Sequence, residues 1–302
     1  MIRLLAVSFV FPIAGGCLAF HQGPLPGEPG DATFAQVEGA RVRYVDAGPR
    51  DAPAVVLLHG FASSIETWLP LLPALERDHR VLALDLKGFG WTDRPEGDYS
   101  PEAQARLVFA LMDARGIRRA AVVGHSWGAS VALAMALAAP ERVERIALYD
   151  GWVYEEQLPT FFHWSRASGI GELLFALYYD QRPDEKLELA FYDRRYVTEE
   201  LVEAVERALE RPGTKAAALA AVRGQRFVEL QARYRELEQP ALILWGREDR
   251  VSPLSFGERL SKELPHARLV VFPQCGHFPM IEAAAPSTRE LLDFLAAAEA
   301  RR

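Results

Sequence analysis

The chain has 302 residues, half of them hydrophobic and a quarter charged, a balance ordinary for a globular protein large enough to bury a substantial core. With 34 Lys and Arg against 41 Asp and Glu, the formal net charge is −7. No run of basic residues offers a local patch, so the composition argues against nucleic acid as a partner.

In chain order, residues 1–17 read as an export signal. Arg3 precedes an apolar run from Leu4 to Ala14, broken by Ser8 and Pro12, and Gly15-Gly16-Cys17 follows. The run is too short to span a bilayer as a mature helix. Ala14-Gly15-Gly16-Cys17 resembles the bacterial lipobox, departing from it in carrying Ala14 where Leu is usual. The pattern predicts an exported protein of the cell envelope, by simple cleavage or tethered to a membrane through a lipidated Cys17. In either case Cys275 stands alone and no disulfide framework exists.

Residues 18–33 (LAFHQGPLPGEPGDAT) are rich in Gly and Pro without periodicity, and predict a flexible tether. From Arg41 to Val45 polar and apolar residues alternate, as in an edge strand with one wet face. Continuous apolar runs follow at 54–58, 81–84, 120–123, 146–149, 241–244 and 269–272. Such runs suit strands buried on both faces of a parallel sheet. Helical patterns at 101–115, 127–139, 255–264 and 287–298 lie between or after them. The alternation predicts an α/β fold, a mostly parallel sheet flanked by helices, over residues 34–151 and 239–302. Residues 152–238 break the rhythm: they are helical in pattern and predict an inserted cap. This segment holds 13 of the chain's 31 aromatic residues. Most would make the cap's own core, and their density favours an apolar roof over a pocket.

Gly124-His125-Ser126-Trp127-Gly128 joins a predicted strand to an Ala-rich helix. A serine hydroxyl attacks only when a base removes its proton and the side chain is aimed outward. A sharp strand-to-helix turn with glycines at its tightest points provides this. In this context the chain resembles the α/β-hydrolase superfamily from Ala40 onward. His59-Gly60-Phe61 stands where that family places its first oxyanion loop. Asp85-Leu86-Lys87-Gly88-Phe89-Gly90-Trp91-Thr92 is similar to its D-x-R-G-x-G-x-S turn, departing at Lys87 and Thr92. Trp245-Gly246-Arg247-Glu248-Asp249 and Cys275-Gly276-His277-Phe278 follow the last two strands.

The resemblance implies a catalytic triad of Ser126, His277 and Asp249, in the chain order this fold uses, with the backbone N–H groups of Phe61 and Trp127 as the oxyanion hole. Each such donor is worth roughly 3–4 kcal/mol to the transition state. Asp150, after the sixth core strand, is the principal rival for the acid, with Glu248 and Asp93 behind it. His125 and His59 read as structural, and Cys275 as a remote candidate for a second nucleophile. Trp127, Trp152, Phe161, Phe162 and Phe278 are the candidate substrate-binding residues. No metal cluster or dinucleotide fingerprint implies a cofactor.

A serine at 126 excludes the haloalkane dehalogenases and epoxide hydrolases of this fold, which need a carboxylate nucleophile. Esters of small to medium apolar molecules are the expected substrates. The alternative is C–C bond hydrolysis of ring-cleavage-type diketones, whose known enzymes are cytoplasmic, so the export signal favours esters. An aromatic cap of 80-odd residues suggests an enclosed pocket and argues against action on large lipid aggregates. A different class of reading is a ligand-binding protein that has lost the chemistry. Labelling of Ser126 by a fluorophosphonate separates an enzyme from such a protein.

Overall fold

A computed structural model describes residues 18–299; the predicted export segment with Cys17 lies outside them. Eight strands form one sheet: β1 (Thr33–Val37), β2 (Ala40–Ala47), β3 (Ala54–Leu58), β4 (Arg80–Leu84), β5 (Ala120–His125), β6 (Val143–Tyr149), β7 (Ala241–Gly246) and β8 (Ala267–Phe272). Their order is β1-β2-β4-β3-β5-β6-β7-β8. β2 pairs antiparallel with β1 and β4, and every pairing from β4 to β8 is parallel. The α/β-hydrolase architecture expected from the strand and helix pattern is the one observed.

The apolar runs become central strands because each carries two buried faces. One face of β3 and β5 (Val56, Leu58, Val122) packs under the helices Pro101–Ala114 and Trp127–Ala138. The other (Val55, Leu57, Val123) packs against Trp68, Leu71 and the C-terminal helix residues Leu291 and Leu295. Register places the carboxyl ends of the strands at one rim. Leu58 lies beside Gly124, Gly124 beside Leu148, Tyr149 beside Leu244, and Gly246 beside Phe272. β4 flanks β3 on one side and β5 on the other, so the chain reverses its direction of winding at β3. The loops leaving β3 and β5 therefore part there and open a crevice, the usual ligand position in such sheets.

One expectation needs correction. Residues 18–33 are not a free tether. His21 and Arg94 exchange backbone hydrogen bonds of 2.9 and 2.8 Å, Gly23 N–H donates to Asp93 Oδ1, and the Glu28 carboxylate pairs with the Arg41 guanidinium. Leu25 is buried and Phe20 stacks on Tyr99. Two apolar anchors and one ion pair hold a segment whose own composition shows no periodicity. β1, at its end, went unread because its order comes from pairing with β2 rather than from its own pattern.

None of the described residues between β6 and β7 is in a strand. They form the helices Thr160–Ser165, Ile170–Tyr178, Pro183–Ala190, Glu199–Glu210, Thr214–Gly224 and Phe227–Gln231, with short turns between.

Candidate active site

Ser126 sits at the junction of β5 and the helix Trp127–Ala138 with φ +50° and ψ −120°, a conformation that a non-glycine residue holds only when its surroundings impose it. The surroundings do so by close approach. A Cβ on Gly128 would lie 2.3 Å from the Leu58 carbonyl oxygen, and one on Gly124 would lie 2.4 Å from that of Gly128. Only hydrogen fits, so strand and helix meet closely enough to force the turn between them. The Ser126 N–H donates to Tyr149 O, and Ser126 O accepts from Ala129 and Trp152, fixing the turn on every side.

The N–H groups of Phe61 and Trp127 donate to no protein acceptor among the described residues. That of Trp127 is one of the unpaired donors that open a helix. His59 holds the Phe61 loop in place. Its Nδ1–H donates to Gly60 O at 2.7 Å, and its Nε2 accepts the Leu86 N–H at 2.9 Å. Complete burial depresses its basicity and keeps the imidazole neutral, as this double role requires. Asp85 fixes the neighbouring loop by accepting the N–H groups of Ile65 and Trp91 at 2.8 Å each.

On the far side of the crevice, His277 Nδ1–H donates to Asp249 Oδ2 at 2.7 Å, and both residues are buried. Asp249 Oδ1 accepts the N–H groups of Val251 and Ser252 at 2.8 and 2.9 Å. The carboxylate therefore cannot turn away from the imidazole. His277 Nε2 remains free to face the crevice. Ser126 Oγ makes no hydrogen bond to it among the described residues, and this contact is often long before substrate binds. His125 links the two sides: its ring centroid is 4.8 Å from that of His277, and its Nε2–H donates to His277 O at 2.8 Å.

The rivals for the acid take other positions. Glu248 accepts the Cys275 N–H, and Asp93 accepts the N–H groups of Gly23 and Arg41. Asp150 is closer. It is fully buried, its Oδ1 accepts the Gly246 N–H at 2.9 Å, and its carboxyl lies against that of Asp249. Burial first, and then the charge of Asp249, raise its carboxyl well above the ordinary range, which favours its neutral form beside Asp249. One ligand-type atom from each of Asp150, Asp249 and His277 falls within 4.8 Å of the others. The 2.7 Å separation of Asp249 and His277 is a hydrogen bond. Two ligands of one tetrahedral zinc ion would stand about 3.4 Å apart, given metal distances of roughly 2.0–2.2 Å. Burial pushes the Cys275 thiol far up, which leaves it unsuited to act as a nucleophile.

Several residues that brace the base had no signal in the sequence. Glu282 accepts the N–H groups of Tyr192 and Asp193 on one oxygen and that of Gly276 on the other. The His277 N–H donates to Ala190 O at 2.7 Å. The base loop is thus latched to the cap through backbone groups, whose partners no residue pattern reveals.

The candidate substrate-binding residues divide. Phe61 is the hub of an aromatic shell, with ring centroids 5.3 Å from Phe162, 6.3 Å from Trp127, 6.3 Å from Tyr179 and 5.2 Å from Phe89. Trp152 stacks on Phe162, and Phe161 packs one ring further out, against Phe162 and Phe175. Phe278 is not part of this shell. It stacks on Phe191 at 4.8 Å and flanks the rings of His125 and His277. It lies beside the base just before the helix Pro279–Glu282, rather than among the rings around Phe61. Three buried polar atoms of the shell have no protein partner: Trp127 Nε1, Trp152 Nε1 and the Tyr179 hydroxyl.

Residues 53–284 match the model of the alpha/beta hydrolase fold family. The chain belongs to the α/β-hydrolase family. This hydrolase is 32% identical over 267 residues to a 2-hydroxy-6-oxo-2,4-heptadienoate hydrolase of Pseudomonas putida, a match covering 80% of this chain and 89% of the relative. A meta-cleavage product hydrolase from Pseudomonas fluorescens IP01 superposes with a TM-score of 0.76 at 30% identity, covering 88% of this chain and 98% of that one. A membrane phospholipase A, a bacterial virulence factor, superposes with a TM-score of 0.73 at 27% identity, covering 89% and 86%.

Proposed function

We propose that this α/β-hydrolase is a triad-dependent serine enzyme that hydrolyses a C–C bond in a ring-cleavage-type diketone. The observation that carries the triad is the 2.7 Å contact of His277 with Asp249 at the rim that also presents the strained Ser126. Ser126 attacks the carbonyl carbon while His277 takes its proton, and the N–H groups of Phe61 and Trp127 hold the oxyanion. Asp249 fixes the imidazole and stabilises its charged form. His277 then protonates the departing group, the C–C bond breaks, and water releases the acyl group from Ser126 in the reverse order of proton moves.

The choice of bond rests on the relatives named for such products over most of their length. A second reading, hydrolysis of apolar esters, is favoured by the uncharged aromatic shell around Phe61 and by the export-like N-terminus.

The test measures kcat/KM for a ring-cleavage dienoate, followed by loss of its absorbance, against p-nitrophenyl esters of graded chain length. A preference of a hundredfold or more for the dienoate is expected. Faster turnover of the esters overturns the C–C reading and installs the second. With either substrate Ser126→Ala is expected to abolish turnover and fluorophosphonate labelling. No turnover of any substrate, with labelling absent or unchanged in Ser126→Ala, overturns the enzyme reading in favour of ligand binding.

A further inference from the structure

We propose that the outer face of the cap is a docking surface for a lipid bilayer, which sets the aromatic roof of the site against the membrane. The face is built on the helix Ile170–Tyr178. Ile170, Leu173 and Leu177 recur at spacings of three and four and form one stripe. Tyr178 ends it, and Trp164 extends it from the preceding helix, Thr160–Ser165, which packs alongside. These five side chains are 51–63% exposed. Side chains of this size together approach the ~300–600 Å² of the largest apolar patch on an ordinary monomer.

The opposite face of the same helix is apolar as well. Phe175 is fully buried and stacks on Tyr179 within the shell around Phe61. A helix with apolar side chains on two opposite faces belongs between two apolar surroundings. Here the inner one is the roof of the site, and the outer one is vacant in the described chain. Trp164 and Tyr178 near the two ends match the amphipathic aromatics of a membrane interface.

The position of the N-terminal segment selects the occupant. The described chain begins beside the cap: Phe20 stacks on Tyr99, which borders Gly88 together with Ala217 of the cap, and His21 abuts Gly213. Two residues beyond Gly213, Lys215 donates to Ala176 O and pairs with Asp180 at the end of the apolar helix. The described chain therefore begins, at Leu18, on the part of the body that borders the end of the apolar helix. An anchor there and a docking face beside it would meet the same surface. Among the described residues no helix is long and apolar enough to cross a membrane, so the contact is peripheral.

Charge does not drive it. Glu172 is paired with Arg223, Asp180 with Lys215, and the chain as a whole is acidic. Binding is therefore expected to tolerate salt and to need no anionic lipid. Docking does not make the bilayer the substrate.

The test uses the full chain with phosphatidylcholine vesicles, and reads Trp164 as the difference in emission between the wild type and Trp164→Phe. Brominated phosphatidylcholine is expected to quench this component at least twofold, unchanged by 0.5 M salt. In Leu173→Glu/Leu177→Glu, with wild-type circular dichroism and melting temperature, the quenching is expected to vanish although the N-terminal segment remains. Lack of quenching in the wild type overturns the proposal. So does Trp164 that acrylamide cannot reach without vesicles: the face is then covered by the chain's own first residues, or by a second copy if sedimentation velocity shows a dimer. None of these readouts depends on which bond the enzyme cleaves.

Discussion

The two sides of the crevice are built by different means. The nucleophile side is local: within five residues, Gly124 and Gly128 let β3, β5 and the following helix meet so closely that Ser126 has one conformation. The acid–base side is assembled from afar. Asp249 and His277 stand 28 residues apart in sequence, Asp150 comes from another strand end, and the base loop is tied to the cap by Glu282 and Ala190. The first kind of construction resists change through steric exclusion. The second depends on a set of hydrogen bonds, each of which can be removed singly.

Three substitutions bear on this contrast, with the largest effect expected first. Asp249→Asn should lower kcat by about 10⁴ while leaving the melting temperature within a few degrees, because it spares the shape and disturbs only the imidazole. Steady-state kinetics with the better substrate measures it. A comparable loss from Asp150→Asn, with Asp249→Asn mild, would reverse the assignment of the acid.

Gly128→Ala should act on stability instead. A Cβ 2.3 Å from the Leu58 carbonyl oxygen cannot be relieved by turning a side chain, so a destabilisation of about 3 kcal/mol is expected. Chemical denaturation measures it. A change below about 1 kcal/mol would show that the elbow yields, and the claim of local rigidity would fail.

Asp150→Asn is the smallest and the most specific. With its carboxyl raised, Asp150 holds its proton in the fold to higher pH than in the unfolded chain, which releases it above about pH 4. Stability is therefore withdrawn as pH rises from that value towards the raised folded one. Asparagine has no proton to lose. The variant should melt higher relative to wild type at pH 8 than at pH 4, and equal differences at both pH values would show that Asp150 is ionised in the fold.

How much was legible follows from the same contrast. The elbow, the run order of strands and the helical nature of the cap could be read because each is a local pattern. The docking of residues 18–32 could not, since Phe20 and Glu28 find partners more than ten residues away. Nor could the position of Phe278 at the flank of His277, away from the aromatic shell.

The residue order alone determined which side chains have the chemistry to act, because periodicity and the spacing of glycines are properties of short stretches. Only the tertiary structure decided which carboxyl faces the imidazole and which favours its neutral form. It also decided which rings surround Phe61. Those outcomes depend on burial and on distances between remote segments, and both exist only once the chain has closed on itself.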